Sequence, residues 1–364
     1  MPDAATLAQL GKAMFFDPSL SASGRQSCAS CHDPATAHAS PFDTPVAMGG
    51  PNLDQPGTRL PPSLRYLRYN TAFFFADDGT PTGGFDWDGR ANSLADQARR
   101  PFVSPNEMAN ADGAAVVAKL AATSYAEEFR SLYGQDIFSD PDAAFSRIVF
   151  SLERYEIESP EFAPFTSKFD YFTAGKTTLS SQELRGLAWF NRTDKGNCAA
   201  CHPSTKPANA PGALFTDFTF DSLGLPRNMA IAANADAAHY DLGLCGPTRT
   251  DLAGRDDLCG AFKVPSLRNV ALRKRFFHNG QFDSLDKVVH FYVQRDTNPE
   301  LWFPADPATG QPVSYDDLPA AMRRNVNVTE VPYNRKRGEA PALDESEIQD
   351  LIAFLKTLND GFKP

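Results

Sequence analysis

The sequence predicts an all-α protein of two domains, and three observations support this. Apolar residues recur at spacings of three and four in several segments, which is typical of amphipathic helices. The pieces rich in β-forming residues, such as 214–220, are short and bounded by Gly, Asp or Pro. The 364 residues are enough for two cores, and 29 prolines and 24 glycines spread along the chain predict long ordered loops between short helices.

The predicted helices follow one another in two series. The first series covers 4–16, 93–100, 111–120, 124–133 and 141–155, and the second, after the Pro- and Phe-rich stretch 159–173, covers 180–191, 284–292, 319–325 and 344–358. In both halves a helix is followed by a glycine, a Cys-x-x-Cys-His motif and a long loop, which indicates a weak internal duplication. We therefore predict an N-terminal domain over 1–165 and a C-terminal domain over 166–364.

Charge and hydropathy limit the classes of partner. The formal net charge of −10 argues against nucleic acid, because an acidic surface repels phosphates. No apolar run approaches the roughly 20 residues that a membrane-spanning helix needs. The first residues, MPDAATLAQLGKAMFF, have neither the basic nor the apolar region of a signal peptide, and we expect a mature domain.

Two Cys-x-x-Cys-His motifs carry the chemistry. They consist of Cys28, Cys31 and His32, and of Cys198, Cys201 and His202. Two cysteines three residues apart lie about one helical turn apart and match the two vinyl groups of a haem, and the adjacent histidine can ligate the iron. A zinc or redox dithiol site is the alternative, but it leaves the histidine after each pair without a role. The motifs predict two covalent c-type haems.

The two remaining cysteines, Cys245 and Cys259, lie in polar, Gly-rich sequence. Thioether attachment of haem takes place outside the bacterial cytoplasm, so we expect a periplasmic protein in an oxidising compartment. A disulfide between the two cysteines is expected there, and two free buried thiols are the alternative.

The chain resembles the bacterial dihaem cytochrome c peroxidase and MauG superfamily over nearly its whole length. The resemblance rests on the two haem motifs, on DWDGRANSLADQARRPFVSPNEM between them and on FKVPSLRNVALRKRFFHNGQFDSLDKVVHFY after the second. It implies two class I cytochrome c-like domains with one haem each. The haem on His32 is expected to react with peroxide, and the haem on His202 is expected to be a six-coordinate electron-transfer group.

The sixth ligand of the second haem distinguishes the branches of this superfamily. Ordinary peroxidases have a methionine there, whereas the aligned position here is Tyr292, as in the MauG branch. His290 is a rival, but Tyr292 shares its helical face with apolar residues, while His290 lies over Asp286 and Lys287. A core tyrosine without a ligand role is the alternative. An anionic oxygen ligand should stabilise the higher oxidation states of the iron.

The loop after the first haem motif differs from that of activation-dependent peroxidases. In those peroxidases this loop carries a histidine that blocks the peroxide site of the oxidised enzyme. Between His38 and His202 this chain has no histidine, so the iron on His32 is expected to be five-coordinate and open to peroxide without prior reduction. We interpret His38, six residues after the ligand, as a loop residue.

The resemblance also implies roles for four residues around the haems. Glu107 corresponds to the acid and base that moves a proton between the peroxide oxygens, with Gln97 and Pro101 as pocket wall. Trp87 corresponds to a tryptophan that relays electrons between the haems. The alternatives are an exposed or helix-capping carboxylate for Glu107 and ordinary core packing for Trp87.

Two positions differ from the superfamily pattern. The surface tryptophan that MauG has two residues before its second haem motif is Gly196 here, and Trp302 is either a substitute or a structural ring. The asparagine that helps to hold a calcium ion aligns with Leu60, so Ca²⁺ is possible rather than expected.

The LCGPTRTDLAGRDDLCG insert and RDTNPELWFP resemble the MbnH-type branch, whose partners are MbnP-like copper-binding proteins. This resemblance implies that hydrogen peroxide produces a high-valent, bis-Fe(IV)-type state, which oxidises a tryptophan of a partner protein toward kynurenine. The alternatives are a peroxidase that takes electrons from a small redox protein and a dihaem electron carrier with two six-coordinate irons.

Overall fold

The computed structural model describes residues 3–364 and is mostly helical, with 38% of residues in helices. The α-helices are α1 (Ala4–Phe16), α2 (Cys28–Cys31), α3 (Leu94–Val103), α4 (Gly113–Leu120), α5 (Ala126–Tyr133), α6 (Pro141–Glu158), α7 (Lys168–Thr173), α8 (Ser181–Asn191), α9 (Leu285–Gln294) and α10 (Glu345–Lys356). The 3-10 helices are Pro18–Leu20, Pro34–Thr36, Leu67–Tyr69, Ile137–Ser139, Pro160–Phe162, Cys198–Ala200, Ala232–Ala235, Asp256–Leu258, Val270–Leu272, Pro299–Leu301 and Ala320–Asn325.

Strands are confined to three antiparallel pairs of two residues each. They are β1 (Met48–Gly49) with β2 (Gln55–Pro56), β3 (Phe74–Phe75) with β4 (Pro81–Thr82), and β5 (Phe220–Asp221) with β6 (Phe262–Lys263). Pairs of this length cannot form an independent sheet. Each pair joins two segments of a long loop by backbone hydrogen bonds. The fold is therefore mostly helical, with small β elements that the all-α prediction did not contain.

Helix starts follow the polar residues that precede them. Asp3 accepts a hydrogen bond from the Thr6 amide at the start of α1, at 2.9 Å. Ser180 and Asp344 form capping boxes at the starts of α8 and α10. The segment predicted as a helix at 319–325 is a 3-10 helix, and α7 lies within the Pro- and Phe-rich stretch, for which no helix was predicted.

The chain divides into two compact units. The first contains residues 3–72, 84–86 and 91–164, and the second contains 73–83, 87–90 and 165–364. Two short segments from the first half of the chain, 73–83 and 87–90, pack with the second unit. One of these segments carries Trp87.

The core of the first unit lies between α1 and α6. Leu10 and Phe129 are fully buried there. Gly11 of α1 allows close packing, because a Cβ atom at this position would lie 2.0 Å from the Ser151 carbonyl oxygen.

The core of the second unit lies between α8 and α10. Its centre is a cluster of aromatic rings in which Phe190 and Phe354 have centroids 5.2 Å apart. Gly186 of α8 has the same role as Gly11, because a Cβ atom there would lie 2.0 Å from the Asp350 carbonyl oxygen. Within residues 3–364 no helix has the length and apolarity to cross a membrane.

Candidate functional site

The first Cys-x-x-Cys-His motif begins with α2, which holds both cysteines, and His32 caps this helix. The His32 Nδ1 atom donates a hydrogen bond to the Pro62 carbonyl oxygen at 2.9 Å. This bond selects the tautomer whose Nε2 lone pair is available to a metal. Burial lowers the pKa of His32 to about 4, so the ring is neutral at neutral pH, as a ligand must be.

The thiols of this motif are free and protonated. Burial raises the pKa of Cys28 to about 12 and that of Cys31 to about 11. A redox dithiol requires a thiol whose pKa is lowered, so these cysteines have the wrong electrostatic environment for that role. The negative charge of Glu107 raises the pKa of both thiols further, which places this carboxylate near the motif.

Glu107 lies in the turn that follows α3, and its side chain is exposed. Its amide donates to the Ser104 carbonyl at 3.0 Å, and its carbonyl accepts from the Gly50 amide at 2.8 Å. Gly49 packs against the same turn, since a Cβ atom there would lie 2.7 Å from the Glu107 Cα atom. Gln97 and Pro101, both half-buried, lie on α3, which leads into this turn.

His38 lies in a loop, as predicted, but it is completely buried. Its ring lies 4.2 Å from the Phe162 ring, between centroids, and its Nδ1 atom accepts a hydrogen bond from Arg65 Nε at 3.4 Å. Burial lowers the pKa of His38 to about 4. The ring is therefore part of the core of the first unit.

The second motif opens onto a large cavity. Cys198–Ala200 forms a 3-10 helix after Asn197, whose φ of 51° places it in the left-handed region. His202 Nδ1 donates to the Phe215 carbonyl oxygen at 2.9 Å, and burial lowers the pKa of His202 to about 4. Cys198, Cys201 and His202 line a mostly apolar cavity with about 1520 Å³ of space between atoms, part of it open to solvent.

Tyr292 of α9 lines the same cavity as His202. So do Leu285, Val288 and Val289, the apolar residues on its helical face. His290 points elsewhere: its Nδ1 atom donates to the Asp286 carbonyl and its Nε2 atom lies 2.9 Å from a Glu345 carboxylate oxygen. Of the two ligand candidates on α9, the one that faces the cavity is therefore Tyr292.

Trp87 also lines this cavity, and its side chain is buried. Its carbonyl accepts a hydrogen bond from the Lys263 amide at 2.9 Å, which anchors its segment to β6. The cavity wall further includes Tyr333, His278 and Asp317, which the sequence analysis did not single out. They come from loops without periodicity, although His278 belongs to the FHNG sequence within the segment that carried the resemblance.

The remaining candidate positions lie as follows. Cys245 and Cys259 form the expected disulfide, with their sulfur atoms 2.03 Å apart, so the alternative of two free thiols is not realised. Trp302 is half-buried, with ring centroids 5.8 Å from Phe282 and 5.6 Å from Phe291. The side chain of Leu60 is buried and offers no oxygen to a cation.

Position 196 cannot hold a large side chain, because a Cβ atom there would lie 2.5 Å from the Trp189 carbonyl oxygen. Trp189 itself was overlooked in the sequence. Its half-buried ring lies on α8 beneath Arg192 and Lys195, at 5.2 Å and 5.6 Å from the ring centroid. Its only sequence signal is that it is one of the three tryptophans of the chain.

The residues of both motifs fit a covalent c-type haem. Each motif presents two free thiols and a neutral imidazole whose Nδ1 atom is held by a carbonyl oxygen. A zinc site would instead bring four ligands to one point. Within the described part of the chain, the only cluster of three or more side chains placed to bind a metal is Asp286, His290 and Glu345, which contains no cysteine.

The chain is similar to several known proteins. A family model for di-haem cytochrome c peroxidases matches residues 5–178. The methylamine utilization protein MauG of Paracoccus denitrificans is 35% identical over 97% of this chain and 88% of its own length. The cytochrome c551 peroxidase of Nitrosomonas europaea is 29% identical over 82% of this chain and 76% of its own length.

Two solved structures are also similar. The diheme peroxidase BthA from Burkholderia thailandensis matches with a TM-score of 0.89 and 40% identity over 99% of this chain and 87% of that chain. A MauG-like protein associated with microbial copper homeostasis matches with a TM-score of 0.69 over 99% of this chain and 91% of that chain. At 24% identity, the second match shows a shared fold only.

Proposed function

The chain belongs to the di-haem cytochrome c peroxidase and MauG family, an oxidoreductase family that acts on peroxide, and on this premise we propose that it is a hydrogen peroxide-dependent dihaem oxidase of a partner protein. The observation that carries the proposal is that Tyr292, rather than a methionine, faces the cavity of the second motif together with His202. Family membership implies two haems. These groups would supply the reaction with peroxide and the storage of oxidising equivalents.

The first part of the proposal assigns the attachment sites. Cys28 and Cys31 would hold one haem and Cys198 and Cys201 the other, each through two thioether bonds. The protonated state of these thiols supports this assignment, because a thiol is less readily oxidised than a thiolate. His32 and His202 would be the proximal ligands, since their Nδ1 atoms are engaged and their Nε2 atoms are available to iron.

The second part concerns Tyr292. An anionic phenolate oxygen stabilises oxidised iron more than a thioether does, so a haem ligated by Tyr292 would retain oxidising equivalents rather than supply electrons. His290 is a poor competitor because both of its nitrogens are engaged in hydrogen bonds on the surface.

Glu107 is the proposed acid and base of the peroxide reaction. Its carboxylate lies near the first motif, on a turn that Gly49 and Gly50 hold against β1. It would take a proton from one peroxide oxygen and give it to the other. Glu107→Gln is therefore expected to slow the reaction with peroxide by about 10²–10⁴-fold, the usual size of a general acid–base contribution. Glu128→Gln, at an exposed position of α5, is the matched control and should leave the rate unchanged.

The substrate of the proposed oxidation is a tryptophan on a partner protein. Hydrogen peroxide accepts two electrons and two protons and becomes two molecules of water, so each peroxide would remove two electrons from the partner. The 244–260 insert and the 295–304 segment, which resemble the MbnH-type branch, support a copper-binding partner of the MbnP type. Covalent haem and the Cys245–Cys259 disulfide support a periplasmic location.

The test is a rapid-mixing spectrum of the diferric protein with one equivalent of hydrogen peroxide, from the Soret to the near-infrared region. A long-lived near-infrared charge-resonance band, formed without prior reduction, is the expected result. A ferric spectrum with no high-spin component and no reaction with peroxide would instead indicate a dihaem electron carrier.

A second candidate function is reduction of peroxide to water with electrons from a small redox protein. The 40% identity to a structure described as a diheme peroxidase favours it. This enzyme would react with peroxide only after prior half-reduction, or would lose its oxidising equivalents at once to a small cytochrome or cupredoxin. Steady turnover with such a donor and no modification of a partner tryptophan would establish this function in place of the first.

A further inference from the structure

Arg273, which is half-buried, differs from the buried arginines of the second unit in having no carboxylate partner among residues 3–364. Arg268 pairs with Asp170 at 2.6 Å, and Arg249 pairs with Asp251 at 2.8 Å. Arg295 also has a carboxylate partner, Asp296, at 2.7 Å. In contrast, no carboxylate of the described chain lies within ion-pair distance of the Arg273 guanidinium.

The Arg273 side chain is held in place but is not neutralised. It follows the 3-10 helix Val270–Leu272, and one terminal nitrogen donates to the Ser266 carbonyl oxygen at 2.6 Å. Its Nε atom is buried and has no hydrogen-bond partner within residues 3–364. Burial lowers the pKa of Arg273 to about 10, which still leaves the guanidinium charged at neutral pH. A charged guanidinium with a buried, unused Nε donor favours an anion as its partner.

The location of Arg273 indicates which anion. The side chain lines the cavity of the second motif, and its charge contributes to the lowered pKa of His202. A c-type haem bound through Cys198 and Cys201 would bring two propionate carboxylates into this cavity. Guanidinium groups bind carboxylates through paired, charge-assisted hydrogen bonds.

We propose that Arg273 binds a propionate carboxylate of the second haem and thereby raises the reduction potential of that haem. This inference rests on the proposed function, because it assumes that the second haem occupies this cavity. Arg273 would act on the iron only indirectly, through the haem carboxylate, and is therefore a positioning residue. A positive charge at this place disfavours the ferric iron relative to the ferrous iron.

The test is spectroelectrochemistry of the purified dihaem protein without peroxide, comparing wild type with Arg273→Gln and Arg273→Lys. Arg273→Gln should lower the ratio of reduced to oxidised second haem at a fixed electrode potential by about tenfold, which is about 59 mV for a one-electron couple. Arg273→Lys should restore most of this ratio because it keeps the charge. Lys274→Gln, an exposed neighbour with the same change in net charge, should have no effect.

The outcomes separate this inference from the proposed function. A haem assay that finds only one haem per chain would overturn the proposed function itself. Two haems with an unchanged ratio in Arg273→Gln, or an equal change in Arg273→Lys, would overturn the role of Arg273 alone. A ratio in the wild type that depends on chloride or phosphate concentration would show that a free anion, rather than a propionate, is the partner of Arg273.

Discussion

At the scale of single residues, the histidine and the two thiols of each haem motif are neutral at neutral pH. His32 and His202 have pKa values lowered to about 4 by burial, and burial raises the pKa of all four motif cysteines. The same cause raises the pKa of Tyr292 well above its usual range. The phenol of Tyr292 would therefore lose its proton only when a cation binds its oxygen. A ferric iron is a suitable cation for the resulting phenolate.

Tyr292→Phe tests this role. It should abolish the long-lived near-infrared band after mixing with peroxide, because the oxygen ligand is lost, while both haems stay attached. The band is measured by rapid mixing and the haem content by a pyridine haemochrome assay. His290→Gln is the matched control on the same helix and should behave as the wild type. Retention of the band in Tyr292→Phe and its loss in His290→Gln would make His290 the ligand.

Glu156 of α6 provides a test of pH dependence. It is buried, and burial, with a further contribution from Glu153, raises its pKa to about 8. The folded state then binds this proton more tightly than the unfolded state, so the free energy of unfolding falls as pH rises from about 4.5 through about 8. Glu156→Gln should remove this loss, which is at most about 5 kcal/mol, since each pKa unit between 4.5 and about 8 corresponds to about 1.4 kcal/mol.

The measurement for Glu156 is denaturant unfolding of wild type and Glu156→Gln at pH 5 and pH 9. The variant should gain stability relative to the wild type at the higher pH. Glu158→Gln, at an exposed position of the same helix, is the control. An equal difference between wild type and Glu156→Gln at both pH values would show that the carboxyl group does not titrate in this range.

At the scale of elements, the two units repeat one arrangement of helices. In each unit a helix before the haem motif crosses the last long helix at a glycine, Gly11 in α1 against α6 and Gly186 in α8 against α10. Each glycine faces a backbone carbonyl oxygen at a distance that leaves no room for a methyl group. The internal duplication suggested by the sequence therefore extends to the close contact between helices.

Gly186→Ala and Gly11→Ala test this arrangement. An alanine normally stabilises a helix relative to glycine by about 1 kcal/mol. Here the added Cβ atom would push α8 away from α10, or α1 away from α6. Each variant should therefore lose about 1–3 kcal/mol of unfolding free energy instead. Ser181→Ala, at an exposed position in the first turn of α8, is the control for denaturant unfolding. A gain in stability in either glycine variant would show that the helices can separate without cost.

Sequence periodicity predicts the helices better than it predicts the walls of the site. The helix α1 has the predicted bounds because a capping aspartate and a regular apolar stripe agree. The helix α7 was missed because proline and phenylalanine around it obscure the 3.6-residue period. Cavity residues such as Tyr333 and Arg273 come from loops, where burial depends on tertiary contacts that no local pattern records.

At the scale of the whole molecule, each unit has its own haem motif, core and pair of packed helices. The segment 87–90 packs with the second unit, although 84–86 and 91–164 belong to the first. Trp87 thus lies on a piece of chain between two stretches of the first unit, with its ring in the wall of the second unit's cavity. The resemblance to the MauG superfamily implies that Trp87 relays electrons between the two haems, and this role stays a prediction.

Trp87→Phe is the test of this relay. Phenylalanine preserves an apolar ring but is much harder to oxidise than tryptophan, so the haem on His32 should still react with peroxide while the near-infrared band, which requires both haems, is lost or strongly weakened. Rapid-mixing spectra in the Soret and near-infrared regions measure the two events separately. Trp302→Phe is the control, because its ring packs between Phe282 and Phe291 in the core of the second unit. If Trp87→Phe forms the band as fast and as fully as the wild type, Trp87 is only part of the cavity wall and the oxidising equivalents follow another path.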